Sequence, residues 1–242
     1  VLVGEEVGLG SREAPRDVAR TLERFVDAIV ARVFDHSLLE ELADASVVPV
    51  INALSDAEHP CQALADMMVL AEQWGGTAEL AGRQLVYVGD GNNVAASLLL
   101  ASASLGLHIR WVGPEGYEPD PLVVAHARHI AEETGSRIEL EHDPVAGLAG
   151  ADAVYTDVWA SMGQEEQAER RREVFRRYAI TRELLAAAPD ALVMHCLPAH
   201  RGDEITSEVL DGPNSIVFDQ AEDRMWVQMA LLVTLMGPAK LT

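Results

Sequence analysis

Leu85-Val86-Tyr87-Val88-Gly89, the polar turn Asp90-Gly91-Asn92, the helically spaced Asn93–Leu105 and the run His108-Ile109-Arg110-Trp111-Val112 decide the fold. Two short apolar runs, each bounded by turn residues, flank a segment whose apolar positions recur at helical spacing. That is one β-α-β unit, and β-α-β units build a parallel sheet with helices on its faces.

Working outward, the alternation continues. Arg137–Leu140, Ala153–Asp157, Ala191–Cys196 and Ser215–Phe218 are further short runs that read as strands. Helical stretches separate most of them: Pro121–Glu133, Gln164–Tyr178, Thr181–Ala187 and, after the last run, Glu222–Met236. Gln164–Arg177 is densely charged and reads as an exposed helix or mobile loop rather than core. The first 75 or so residues repeat the logic on a smaller scale. Asp17–Phe25 is helical, Ala28–Ala31 a strand, Ser37–Ala43 a helix, Val47–Ile51 a strand and Pro60–Trp74 a long helix. Gly75–Gly82 is the seam. The expected fold class is therefore α/β, with two doubly wound parallel-sheet domains, the first incomplete. The division falls at residues 1–74 and 75–242, and the last helix, about 222–236, is expected to pack back on the first domain. The opening Val1-Leu2-Val3 carries no initiator Met and no signal-type block, so the chain reads as a fragment or a processed product.

The totals narrow the function. The chain has 242 residues, 49% of them hydrophobic, enough for a substantial core. No apolar stretch reaches the ~20 residues of a membrane helix. Net charge is −21, which disfavours nucleic acid and anionic membranes as partners. Only Cys61 and Cys196 are present, far apart, so a reducing cytoplasm is the expected compartment. Neither Cys-x-x-Cys nor His-x-x-x-His occurs, which gives a zinc site little support.

The chemistry-bearing residues sit where apolar runs end. In open α/β sheets ligands bind at the carboxyl ends of the strands. His195-Cys196-Leu197-Pro198 ends one run, because proline cannot continue a central strand. A buried, inert thiol beside a capping His is the bland alternative. Arg32 follows another run and reads equally as a surface side chain or as a fork for phosphate or carboxylate. In His59-Pro60-Cys61-Gln62, Pro60 suits the first helical position. His59 then stands at the cap and Gln62 one turn in, at the positive helix end. Simple capping is the alternative, and Asp66, one turn further on, is placed to orient Gln62. Gly89-Asp90-Gly91-Asn92-Asn93 resembles the start of a dinucleotide loop, but Val94 occupies the third glycine position. A nicotinamide enzyme is therefore disfavoured, and Asn92 or Asn93 is left to face a small ligand. Asp157 ends a run, suited to an ammonium group or to ordinary turn chemistry, and Ser161 and Met162 lie on the loop that follows. Arg224 is expected in the first turn of the last helix, where a cation opposes the dipole and calls for an anion. An anion site beside a cation site suggests transfer from a phosphorylated small molecule to an amine.

These segments resemble the ornithine carbamoyltransferases. The resemblance rests on His59-Pro60-Cys61-Gln62, Gly89-Asp90-Gly91-Asn92-Asn93, Asp157-x-Trp159-x-Ser161-Met162-Gly163-Gln164-Glu165, His195-Cys196-Leu197-Pro198 and Ala221-Glu222-Asp223-Arg224. It implies transfer of a carbamoyl group from carbamoyl phosphate to the side-chain amine of L-ornithine, giving L-citrulline and phosphate. By resemblance Arg32, His59, Gln62, Cys196, Leu197 and Arg224 bind carbamoyl phosphate, while Asn93, Asp157, Ser161 and Met162 bind ornithine. Arg32, His59, Asp157 and Cys196 are the expected catalytic groups. The resemblance further implies no metal or organic cofactor and a homotrimer. One family element is missing: the Ser-Thr-Arg-Thr phosphate-binding stretch does not occur here. Two alternatives follow, a catalytically inactive binding or regulatory relative and a carbamoyltransferase for a related amine.

Overall fold

The computed structural model describes residues 8–160 and 168–237. Chain order runs α1 (Pro15–Leu22), β1 (Ile29–Arg32), α2 (His36–Ala45), β2 (Val50–Leu54) and α3 (Pro60–Trp74). It continues β3 (Gln84–Val88), α4 (Asn93–Leu105), β4 (His108–Val112), α5 (Pro121–Thr134), β5 (Ile138–Glu141), α6 (Pro144–Leu148) and β6 (Ala153–Thr156). The rest is α7 (Ala168–Phe175), α8 (Arg182–Leu185), β7 (Leu192–His195), α9 (Ser207–Leu210) and α10 (Val217–Met236).

Two parallel sheets form. β1 pairs with β2, and the larger sheet has the order β5-β4-β3-β6-β7. The larger sheet is a sandwiched layer, and the sequence shows why. Side chains alternate across a strand, and here both sets are apolar. Leu85 and Tyr87 of β3, Trp111 of β4, Tyr155 of β6 and Met194 of β7 face one core with α3, α4 and α5. Val86, Val88, Val112, Val154 and Val193 face a second core, closed by Leu148, Phe175, Tyr178 and Leu184. Helix ends are set locally. Asn92 caps α4 by accepting from the Val94 and Ala95 amides, and Gly106 stops the same helix at φ 72°, a left-handed angle that suits glycine.

Three expectations change. Ser215–Phe218 is not a strand: Ser215 makes an isolated bridge to Val193, and the chain is helical from Val217. Three apolar residues followed by Asp219 and Gln220 suit the first turn of a helix whose Val217 enters the second core. Arg224 consequently stands two turns into α10 rather than in its first turn, which removes the dipole argument for an anion there. The charged stretch is not all surface either. Phe175 and Arg171 of α7 are buried, with the remaining charges on the outer face. The short helices α6 and α9 have too few residues to show a period. α10 packs along α3, bringing residues more than 150 positions apart into contact.

Candidate active site

The order of the larger sheet reverses at β3: β4 lies on one side and β6 on the other. Such a switch point opens a crevice at the strands' carboxyl ends. Strand register then fixes which residues meet. Thr156 of β6 lies opposite His195 of β7, so the next residues, Asp157 and Cys196, emerge side by side. The Cys196 thiol donates to Asp157 Oδ1 at 3.0 Å, and the Asn92 side-chain amide donates to Asp157 Oδ2 at 2.9 Å. Asn92 thus caps α4 and orients the acid at once, a role that spacing alone did not single out.

Burial and the neighbouring Asp157 push the Cys196 thiol well above its usual range. It remains a protonated donor, so neither a thiolate nucleophile nor a thiolate base is supplied here. The chain turns immediately afterwards. Leu197 adopts φ 50°, and the bond to Pro198 is cis. A leucine in the left-handed region is disfavoured by about 1–2 kcal/mol. The Leu197 amide holds it there by donating to His195 Nδ1 at 2.8 Å. The opposite ring nitrogen, His195 Nε2, lies 3.2 Å from buried Glu204. Asp157, His195 and Cys196 place ligand-type atoms within 4.8 Å of one another. With both imidazole nitrogens engaged and the thiol protonated, that trio is a hydrogen-bonded turn rather than a metal donor set.

The opposite wall comes from the first part of the chain. The loop before α3 is tied to α4 twice: the His59 amide donates to Ser97 Oγ at 2.8 Å, and the Asn93 side chain donates to the Ser55 carbonyl at 2.6 Å. His59 occupies the N-cap position of α3 but makes no capping bond through its side chain. The residue is 6% exposed, and Nδ1 has no hydrogen-bond partner among the described residues. Burial, then the nearby Arg224 and Arg32 guanidiniums, lower its pKa to about 4. His59 is therefore a neutral imidazole with unused hydrogen-bonding capacity. Arg224 Nη1 donates to Gln62 Oε1 at 2.8 Å.

One cleft of about 960 Å³ is lined by Arg32, His59, Asn93, Asp157, Cys196, Leu197 and Arg224, together with Asn92. Seven of the ten sequence-predicted site residues are thereby brought together. Gln62 does not line the cleft. It is 1% exposed, with both amide ends bonded to protein. Ser161 and Met162 lie outside the described residues. Arg171, not foreseen, reaches the same cleft and forms a buried ion pair with Asp90 at 2.8 Å while stacking over Tyr117. Its only sequence signal was an arginine four residues before Phe175 on one helix face.

Two family descriptions match in succession: "aspartate/ornithine carbamoyltransferase, carbamoyl-P binding domain" over residues 2–72, and the "Asp/Orn binding domain" of the same family over residues 81–235. The chain belongs to the aspartate/ornithine carbamoyltransferase family. An ornithine carbamoyltransferase of Thermococcus kodakarensis is 52% identical over 240 residues, covering 99% of this chain and 75% of that relative. The solved ornithine carbamoyltransferase of Pyrococcus furiosus superposes with a TM-score of 0.92 at 51% identity, covering 98% of this chain and 75% of that one. A solved acetylornithine transcarbamylase, complexed with acetylcitrulline, superposes with a TM-score of 0.84 at 31% identity, covering 94% and 74%. The expected mixed α/β architecture with parallel sheets is therefore this carbamoyltransferase family's fold. Among the described residues, no helix is long and apolar enough to cross a membrane.

Proposed function

We propose that this chain transfers the carbamoyl group of carbamoyl phosphate to the δ-amine of L-ornithine, giving L-citrulline and phosphate. The observation that carries the reading is the composition of one cleft. Arg32, His59 and Arg224 stand on one wall, and Asp157, with Cys196 and Asn92 bonded to it, on the other. The neutral amine attacks the carbamoyl carbon. The new C–N bond forms, the C–O bond to phosphorus breaks, and the amine gives up one proton. Ornithine's side-chain ammonium leaves one proton to solvent on entering, and Asp157 is the acceptor placed to hold the resulting neutral amine through its N–H and to receive the proton released on attack. Cys196, held protonated, donates to Asp157 and fixes its carboxylate, which makes the thiol a contact and an orienting group rather than a base. His59, neutral, and Arg32 offer hydrogens to the carbonyl oxygen as charge grows on it. Arg224 faces the leaving phosphate, with its guanidinium steadied by Gln62. Gathering two reactants in one cleft contributes several kcal/mol in its own right.

L-Ornithine, rather than an acylated ornithine or a diamine, is favoured by relatives bearing that name at about half identity. The acetylornithine enzyme, at lower identity, keeps the second amine in view. Residues 1–74 as the carbamoyl-phosphate part and residues 75–242 as the ornithine part are supported by the two successive family matches. A homotrimer belongs to the same reading, supported by the apolar side chains exposed on and around β1, Phe25, Val30 and Phe34. Its check is a solution mass three times that of the chain. The function is tested by incubating the protein with carbamoyl phosphate and, separately, ornithine, acetylornithine, putrescine and aspartate. Citrulline and phosphate in equal amounts with ornithine are expected. Turnover confined to any other amine, or to none, overturns the proposal.

A further inference from the structure

We propose that Asp66 is a positioning residue that, through Gln62 and Gln220, fixes both arms of the cleft at once: the Arg224 guanidinium and the turn into Cys196. This rests on the carbamoyl-transfer reading and adds a residue that touches neither substrate site. Asp66 is fully buried between α3 and α10 and does not line the cleft. Its Oδ1 accepts two side-chain amides, from Gln62 Nε2 at 2.8 Å and from Gln220 Nε2 at 2.6 Å. A carboxylate oxygen only accepts, so both glutamines must turn their NH2 groups toward it. Their carbonyl oxygens are thereby aimed outward. Gln62 Oε1 accepts from Arg224 Nη1 at 2.8 Å, and Gln220 Oε1 accepts from the His195 backbone amide at 2.9 Å. One oxygen atom thus sets the polarity of two amides, and each amide holds one wall.

The arrangement survives titration. Burial raises the Asp66 carboxyl to about 7, against the lowering effect of the Gln62 and Gln220 hydrogen bonds. Oδ2 takes no part in these two bonds, and the Tyr155 hydroxyl is a further side-chain group acting on the carboxyl. Oδ1 stays an acceptor in either state. The device is therefore the shared acceptor and not the charge. Gln220 and Arg224 are four residues apart on α10, one helical face, so a shift at one is felt at the other.

The test compares Asp66→Leu, which removes the acceptor, with Asp66→Asn, which keeps a carbonyl oxygen, in the full chain. For Asp66→Leu, with its circular-dichroism spectrum intact, kcat/KM for carbamoyl phosphate should fall at least about tenfold while Asp66→Asn recovers most of that loss. A folded Asp66→Leu with kcat/KM within about twofold of the unaltered chain overturns the proposal, as does an Asp66→Asn as impaired as the leucine variant. If Asp66→Leu fails to fold, Gln220→Met serves in its place, with the same loss expected and unchanged kinetics again fatal. A chain that forms no citrulline refutes the carbamoyl-transfer reading instead. Positioning is then read from amide hydrogen exchange at His195. Asp66→Leu should speed exchange there by about tenfold and Asp66→Asn should not; equal rates in all three proteins overturn the proposal.

Discussion

Removing the titratable ring at position 59 should abolish one component of the chain's acid lability. His59 is 6% exposed, and its pKa falls from 6.5 to about 4, chiefly through burial and then through Arg224 and Arg32. Between these two values the unfolded chain binds the proton and the folded chain does not. Stability from this residue is therefore whole above about pH 6.5 and is lost as pH falls toward 4. At 1.36 kcal/mol per unit, the full loss approaches about 3.4 kcal/mol, with about 2 kcal/mol already gone at pH 5. Asp66 acts in the opposite sense. Its raised carboxyl takes up a proton in the folded state first, so its contribution grows as pH falls from about 7 toward 3.8. A single acid-unfolding curve mixes the two, and a difference separates them. Urea unfolding of the unaltered chain and of His59→Asn, each at pH 8 and pH 5, gives that difference. The unaltered chain should lose about 2 kcal/mol more than the variant over this interval. Equal losses would mean that His59 titrates normally, is charged in mildly acidic solution, and is not the neutral donor invoked for the carbonyl oxygen.

Further outcomes follow from the same geometry. Arg224→Gln removes a charge-assisted contact worth about 1.5–3 kcal/mol, so KM for carbamoyl phosphate should rise roughly ten- to a hundredfold in steady-state assays. Cys196, kept protonated by burial and by Asp157, should react with iodoacetamide far more slowly than a free thiol at pH 8, as followed by mass spectrometry after digestion. Arg171→Leu leaves Asp90 buried without its cation, so urea unfolding should show a loss of about 3–5 kcal/mol. Gly91→Ala would set a Cβ 2.2 Å from the Pro119 nitrogen and 2.3 Å from the Glu118 carbonyl carbon. Forcing those backbones apart should lower stability by about 1–3 kcal/mol and weaken ornithine binding by shifting Asn92 and Asn93.

The sequence disclosed what depends on local pattern. Asn93–Leu105 and Pro60–Trp74 carry their own start and stop residues, and both helices have the expected bounds. The strand ends were legible because an apolar run stops at a polar residue, so Asp157 and Cys196 were candidates before their contact was known. Their adjacency was not legible, since it comes from the register of β6 against β7. The start of the last helix is not legible, because Ile216-Val217-Phe218 has strand-like composition. Beginning that helix at Val217 places Gln220 and Arg224 on one face, and with them the link to Asp66. Gln62 is a candidate ligand in the sequence because its position at a helix start suits an anion. Only the packing of α10 on α3 showed both its amide ends engaged within the protein.

The two-walled cleft is tested most directly with one ligand that spans it, a phosphonate joined through an acetyl linker to the δ-nitrogen of ornithine. Its binding is measured by calorimetry to the unaltered chain, to Arg224→Gln and to Asp157→Asn. One site per chain is expected, with affinity lowered at least about tenfold by each substitution. Unchanged affinity in either variant would place that wall outside the ligand's reach and contradict the cleft as the seat of carbamoyl transfer.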